Sequence, residues 1–188
     1  MMNLDEQEYL NVGCGNVRFP NCINMDLVKN KYTYVDIVGD VLDIPFPDER
    51  FKGVIFCHVL EHLYEKQHFR AMKEIRRVLK PKGKLLLECP DLTLVCKYFL
   101  DNFQGRKEYW YMCIYGRNLH IGDAHKSGIT QEYLTDLLFT TGFGHLSWKT
   151  RNDREPALIV VAEKLEKTLL NNSWSNDEPI KSVNSDTC

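Results

Sequence analysis

No stretch of the chain approaches the roughly 18 consecutive apolar residues that a membrane-spanning helix needs, so a membrane is not an expected partner. Residues 1–9 are acidic and lack the apolar core of a secretory signal, which makes the cytoplasm the expected location. The cysteines form no C-x-x-C pair. They are scattered at Cys14, Cys22, Cys57, Cys89, Cys96, Cys113 and Cys188, mostly within expected strands and helices, which reads as reduced, buried thiols rather than a disulfide framework. A net charge of −2 is small and of the wrong sign for a phosphate-binding surface, so nucleic acid is not an expected partner either. What remains is ordinary: 188 residues, 44% of them hydrophobic and 27% charged, match a single globular domain large enough to bury a core.

The feature that stands out is Leu10-Asn11-Val12-Gly13-Cys14-Gly15-Asn16, an apolar strand over Tyr9 to Val12 that runs into a two-glycine turn. Glycine enters the φ > 0 region freely and has no side chain, so such a turn lets a ligand approach the backbone. Alone, the pattern also fits an ordinary tight turn. A second strand, Ile23 to Leu27, carries Asp26 near its end. Only about two helical turns would fit between Gly15 and Cys22, and Pro20 shortens that space further, so the crossover is expected to be a loop. A dinucleotide site rests pyrophosphate on a full helix and places its acid about 20 residues on. Here the acid follows Gly15 by 11 residues and the third glycine is missing. The ligand expected from this spacing carries an adenosine ribose and no pyrophosphate.

Further along, Tyr34 to Val38 reads as a third strand, followed by Gly39-Asp40 and a loop that Pro45 and Pro47 keep from being helical. Phe51 and Val54 to Cys57 form a fourth strand, apolar throughout as in a parallel sheet buried on both faces, and it ends at His58. Glu65 to Leu79 has the spacing of an amphipathic helix, stopped by Lys80-Pro81-Lys82-Gly83, and Leu85 to Glu88 is a fifth strand. Strands alternating with helices or short connections imply βαβ units and a doubly wound parallel sheet.

LNVGCG, Asp26, GDVLDIPFPDERF, VIFCHVLEHL and RVLKPKGKLLLE, in this order and at this spacing, resemble a class I S-adenosylmethionine-dependent methyltransferase, in particular the small type 11 branch, over residues 9 to 90. GDAHKSGITQEYLTDLLFTTGF, from Gly122 to Phe143, is similar to the later portion of small methyltransferases. The resemblance implies a three-layer, Rossmann-like, doubly wound sheet of seven mostly parallel strands with an antiparallel edge hairpin. Leu146 to Thr150 and Ala157 to Ala162 would supply the hairpin, and a helix over Glu132 to Thr141 would be capped by Thr130 and ended by Gly142. Residues 1–165 would form the domain, 91–128 a substrate-side insertion or lid, and the Ser-, Asn- and Asp-rich 166–188 a disordered tail.

The cofactor implied is S-adenosylmethionine, which leaves as S-adenosylhomocysteine. Asn11, Gly13, Cys14, Gly15, Asp26, Leu27, Asp40, Val41, Leu42 and His58 are the candidate contacts. Asp26 would accept the ribose hydroxyls and Asp40 the adenine amino group, with the Val41 N–H toward the ring and Leu27 and Leu42 on either side of the base. Asn11 stands where the family usually has an acid, so it would offer an amide oxygen to the methionine ammonium. Methyl transfer is an in-line displacement dominated by positioning, with a base needed only where the acceptor must lose a proton. His58 and His125 are the candidate catalytic bases; each is also readable as a hydrogen-bonded structural histidine.

Three functions follow in order of preference. The first is methyl transfer to an O or N nucleophile of a small molecule, a sugar hydroxyl being the first choice. The second is a non-catalytic S-adenosylmethionine-binding domain. The third is a zinc hydrolase, because His58-Val59-Leu60-Glu61-His62 matches H-x-x-E-H. That signature needs both histidines on one helical face, which His58 at a strand end would not give, so no metal is expected. Glu61 and His62 would instead line the cofactor pocket or fasten the loop. Between Asp91 and Ser127, a helix over Leu92 to Phe103 and the aromatics Tyr98, Phe99, Phe103, Tyr109, Trp110, Tyr111 and Tyr115 read first as a satellite core and second as a lid over the acceptor. A homodimer is an open expectation, since residues 1–8 are too short to cover the cofactor.

Overall fold

In the computed structural model, residues 7–29, 31, 33–117, 121–151 and 155–166 are described. The strands β1 (Tyr9–Val12), β2 (Cys22–Asp26), β3 (Ile37–Val38), β4 (Phe51–Cys57), β5 (Leu79–Pro90), β6 (Phe143–Arg151) and β7 (Ala157–Lys164) join in one sheet of order β3-β2-β1-β4-β5-β7-β6. All pairs among β1 to β5 are parallel, and β7 runs antiparallel to both β5 and β6. The implied seven-stranded sheet with its antiparallel hairpin is therefore what the chain forms. The expected tail over 166–188 lies outside the described residues, apart from Glu166.

The path through this order fixes where a ligand can sit. From β1 the chain steps outward to β2 and β3, then returns to the other side of β1 for β4 and β5. Right-handed crossovers put the first set of connections on one face and the second set on the opposite face, so the crevice opens between the carboxyl ends of β1 and β4. The β4-to-β5 connection is α1 (Glu65–Val78), whose Ala71, Met72, Ile75 and Val78 pack on Leu10, Val12, Val54, Phe56, Leu85 and Leu87 of the sheet. Each such fully buried aliphatic or aromatic side chain is worth about 1.5 to 3 kcal/mol. Helix α4 (Gln131–Thr140) adds Leu134, Leu137 and Leu138 to the same core. It begins and ends as its sequence indicated: the Thr130 side chain accepts from the Tyr133 N–H at 3.2 Å, and Gly142 follows with φ 86°.

On the opposite face the connection is loop. Residues 16–21 join β1 to β2, and two buried asparagines bond the Val17 carbonyl and both backbone groups of Phe19. Asn11 Nδ2 donates to the Val17 carbonyl at 3.4 Å and to Asn24 Oδ1 at 3.1 Å; Asn24 Oδ1 accepts from the Phe19 N–H, and its Nδ2 donates to the Phe19 carbonyl. A helix would have satisfied its own backbone. A loop cannot, which is why polar side chains stand in the middle of two buried strands.

Of the boundaries that differ from expectation, three have a local reason. The third strand keeps only Ile37–Val38 of Tyr34 to Val38, because the Asp36 carboxylate, not a backbone carbonyl, takes the Asn24 N–H at 2.9 Å. The fifth strand is longer than Leu85 to Glu88: Leu79 pairs with Phe51 and Lys84 with Gly53, so Lys80 to Gly83 form an irregularity in which Pro81 owes no ladder bond. After β5, α2 (Leu92–Leu100) ends short of Phe103, since Asn102 and Gln104 are left-handed. With α3 (Lys107–Tyr115) it builds the separate cluster of Val95, Trp110 and Cys113 under Tyr98, Phe99, Tyr109 and Ile114, the expected satellite core. The six described cysteines are free, and among the described residues no helix is long and apolar enough to cross a membrane.

Candidate active site

Both glycines of the turn after β1 take left-handed φ, 68° at Gly13 and 50° at Gly15. They differ in surroundings. A Cβ on Gly13 would overlap the Val59 side chain, while one on Gly15 would meet nothing within 4 Å. Gly13 is therefore glycine for two reasons, conformation and the close approach of the segment after β4; Gly15 is glycine for one.

The acid at the end of β2 is tied to this turn. Asp26 Oδ2 accepts the Gly15 N–H at 2.8 Å and Oδ1 accepts the Val28 N–H at 3.2 Å, which orients the carboxylate along the crevice with lone pairs to spare. The Gly39 N–H donates to the Asp26 carbonyl at 3.0 Å, bringing Asp40 alongside at the end of β3. Asp40 Oδ1 in turn accepts the Leu42 N–H at 2.9 Å and its carbonyl the Asp43 N–H, a tight turn that buries Val41 and leaves Leu42 half-buried. Leu27, directly after Asp26, is 64% exposed. The Cys14 thiol is pushed up to about 11 by burial and by the charges of Asp26 and Asp36, so it is neutral. Asn11 is buried with its Nδ2 committed to the loop network.

Across the crevice, His58 follows β4 with φ 54°, a conformation that costs a non-glycine residue about 1 to 2 kcal/mol. Its N–H donates to the Glu88 carbonyl at 2.8 Å, Nδ1 lies 3.2 Å from Glu61 Oε1 and Nε2 lies 2.9 Å from Glu88 Oε1. Burial pulls the imidazole pKa down, but the hydrogen bonds and charges of Glu61 and Glu88 outweigh it and push it up to about 9. With a carboxylate on each ring nitrogen, His58 is an imidazolium with no lone pair for a proton, and its geometry is that of a clasp. Arg151 at 2.7 Å from the same Glu88 oxygen extends the clasp to β6.

His58 and His62 do not share a helical face, since His58 precedes a single 3-10 turn, Leu60–His62, that carries only the second of them. The H-x-x-E-H pairing is therefore not made. A different set forms. The segment that returns from the insertion docks on the 3-10 turn: the N–H groups of Lys126 and Ser127 donate to the Glu61 carbonyl at 2.8 and 3.3 Å, and the His125 N–H donates to the Tyr115 carbonyl. This brings His125 to His62, ring centroids 5.0 Å apart, with Glu61 beneath. Burial lowers the His125 pKa, opposed by the charge of Glu61. His62 Nδ1 is 3.1 Å from the Ala124 carbonyl.

Asn24, Asp36, Glu88 and Arg151 were not singled out from the sequence. Glu88 ends the strand expected over Leu85 to Glu88, the position that drew attention to Asp26 and His58, and was readable on that rule, although β5 itself runs on to Pro90. The other three make their site contacts with residues distant in the chain, and no local spacing marks them.

Residues 10–87 match the family described as a methyltransferase domain, type 11. A protein of Encephalitozoon cuniculi described as a methyltransferase is 32% identical over 173 residues, covering 85% of this chain and 79% of its own. A protein of Mycolicibacterium smegmatis described as an S-adenosylmethionine-dependent methyltransferase is 28% identical over 62% of this chain; that relative is longer, and the match spans 38% of it. Among solved structures, a SAM-dependent methyltransferase from Methanosarcina mazei superposes with a TM-score of 0.62 at 18% identity, over 86% of this chain and 93% of the other. A sheet order that opens a crevice at a glycine turn, and a relative alike along nearly its whole length, lead to one conclusion: this chain belongs to the class I S-adenosylmethionine-dependent methyltransferases.

Proposed function

We propose that the crevice between β1 and β4 is the S-adenosylmethionine site and that the methyl group goes to an O or N nucleophile of a small molecule. The observation that carries the reading is the 2.8 Å bond from Gly15 N–H to Asp26 Oδ2, which points the turn and the acid into one crevice at the reversal of strand order. The donor set fits the cofactor. Asp26 has free lone pairs for both ribose hydroxyls, Asp40 for the adenine amino group, and exposed Leu27 and half-buried Leu42 can close on the two faces of the base. The Gly13–Gly15 backbone then lies under the methionine end, with the Asn11 amide behind it. When bound, the cofactor supplies a methyl group on a sulfonium, a good leaving group for in-line displacement.

The protein's own share is orientation and exclusion of water. His58 clasps Glu61 and Glu88 and so fixes the segment that closes over Gly13; it positions the site and takes no proton. His125 is the residue left to act on the acceptor. Residues 91–128 stand as the acceptor-side insertion of a domain that runs to about residue 165, and exposed Tyr111, Met112 and Tyr115 supply an apolar surface there. Sugar hydroxyls remain the first acceptor class to assay.

Calorimetry with S-adenosylhomocysteine tests the cofactor site. Asp26→Ala is expected to weaken binding at least tenfold, and an unchanged affinity removes Asp26 from the site. A protein that binds the cofactor yet releases no S-adenosylhomocysteine with any hydroxyl or amine acceptor is a binding domain, and the catalytic half of the reading falls.

A further inference from the structure

Glu61 is 2% exposed, and its Oε2 has no hydrogen-bond partner among the described residues, although Oε1 is held by His58. A buried carboxylate oxygen left without a donor is expensive and calls for a ligand. Beside it, the candidate ligand atoms of Glu61, His62 and His125 lie within 4.8 Å of one another. We propose that Glu61, His62 and His125 hold a divalent transition-metal ion of the zinc class, and that this ion binds the oxygen of a hydroxyl acceptor.

The surrounding bonds are those a metal-binding histidine needs. A ligating imidazole carries its proton on the nitrogen away from the metal and gives it to a carbonyl or carboxylate. His62 Nδ1 faces the Ala124 carbonyl at 3.1 Å, which leaves Nε2 with the lone pair. His58 fixes Glu61 through its Oε1, so Glu61 and His62 each have an outer partner that sets their direction. Two nitrogens and one carboxylate oxygen suit zinc and its neighbours better than magnesium or calcium. In a tetrahedral site the ligand atoms stand about 3.3 Å apart, a contraction that the two half-buried histidine side chains can make by small rotations.

Three protein ligands leave a position open, the arrangement of a catalytic rather than a structural ion. Glu61 and His62 follow Val59, which packs against Gly13, so the ion would lie at the mouth of the crevice assigned to the cofactor. This part of the inference rests on that assignment. An acceptor hydroxyl on the open position would have its pKa lowered and lose its proton to solvent water. Its oxygen would then form the new C–O bond as the methyl C–S bond breaks, the sulfur keeping the electron pair as a thioether. His125 reaches the acceptor through the ion rather than as a base.

The full chain, stripped with a chelator and dialysed, is titrated with Co²⁺ while its visible d–d absorption is followed, then challenged with Zn²⁺. The expected result is one tightly bound Co²⁺ per chain, displaced by Zn²⁺, with His125→Ala and Glu61→Gln each weakening binding at least tenfold. His125 is half-buried, so its variant keeps the test readable if Glu61→Gln fails to fold, and circular dichroism checks both. No saturable absorption, or a His125→Ala protein that binds Co²⁺ like the parent, overturns the metal site. S-adenosylhomocysteine calorimetry on the same samples separates the two readings: cofactor affinity without Co²⁺ binding sinks the ion alone, and Co²⁺ binding without cofactor affinity sinks the cofactor crevice alone.

Discussion

The two walls of the crevice are made in different ways. On the β1–β2–β3 wall, Gly13, Gly15, Asp26 and Asp40 are placed by strand ends and tight turns, and the bonds between them are mostly to backbone over short stretches of chain. On the β4–β5 wall, His58, Glu61, His62, Glu88 and His125 are placed by side chains and by a segment that returns more than sixty positions later. The first wall is polar toward solvent and open. The second contains a buried carboxylate and an imidazolium that owes its charge to Glu61 and Glu88. A locally built wall can tolerate change in its neighbours, whereas a wall built from mutual charge pairing fails as a unit.

The largest break in that comparison is at Gly13, where the walls touch. Gly13→Ala is expected to destabilise the fold by about 2 to 4 kcal/mol, combining left-handed strain with overlap onto Val59, while Gly15→Ala has only the strain, about 1 to 2 kcal/mol. Urea unfolding of the pair reads the difference; equal losses would mean that Val59 yields and the walls are not in firm contact. Next comes Asp26→Ala, which would remove the charge-assisted bonds proposed to the ribose and is expected to cost about 1.5 to 3 kcal/mol of cofactor binding. Little of that should appear in the melting temperature if the first wall is locally built.

His58→Ala inverts the pattern. It strips Glu61 and Glu88 of a partner, with an expected loss of about 1 to 3 kcal/mol in stability and little in cofactor affinity. A large drop in affinity at unchanged stability would make His58 a direct cofactor contact instead. The smallest effect concerns His68, buried between Tyr133 Oη at 2.8 Å and Ser127 Oγ at 3.0 Å, where burial lowers its pKa below the usual 6.5. The unfolded chain takes up the proton first, so stability is fully present above about pH 6.5 and declines as pH falls below it. His68→Gln should flatten the pH profile of the melting temperature there; an unchanged slope would assign it to other groups.

The same contrast explains what could be read from the residues alone. The turn at Gly13 and the places of Asp26 and Asp40 were legible because a strand end, a turn and a short gap are all local; the doubly wound parallel sheet was read from strands alternating with helices or short connections, and its seven strands and edge hairpin from the family resemblance. The loop between β1 and β2 was legible from Pro20 and the short interval. Its consequence was not: Asn24, inside β2, looks unremarkable until the loop's backbone is seen to need it, and Asp36, just before β3, holds Asn24 in turn through its N–H and its Nδ2. H-x-x-E-H was visible as a pattern, but the left-handed turn at His58 sends that ring to Glu88 and leaves Glu61 and His62 to a histidine from another part of the chain.

β3 is two residues long and stands at the sheet edge with one neighbour, and the turn carrying Asp40 hangs from it. An edge so short gains little from its own ladder, and the base and ribose would supply the contacts that a further strand or helix gives elsewhere. A ligand present at 100 times its dissociation constant adds about 2.7 kcal/mol to the folded state, a sizeable part of the margin of a domain this size. The cofactor is then a structural component as well as a reagent. The amount of folded protein would follow its supply, with opening beginning at the β3 edge when it is scarce.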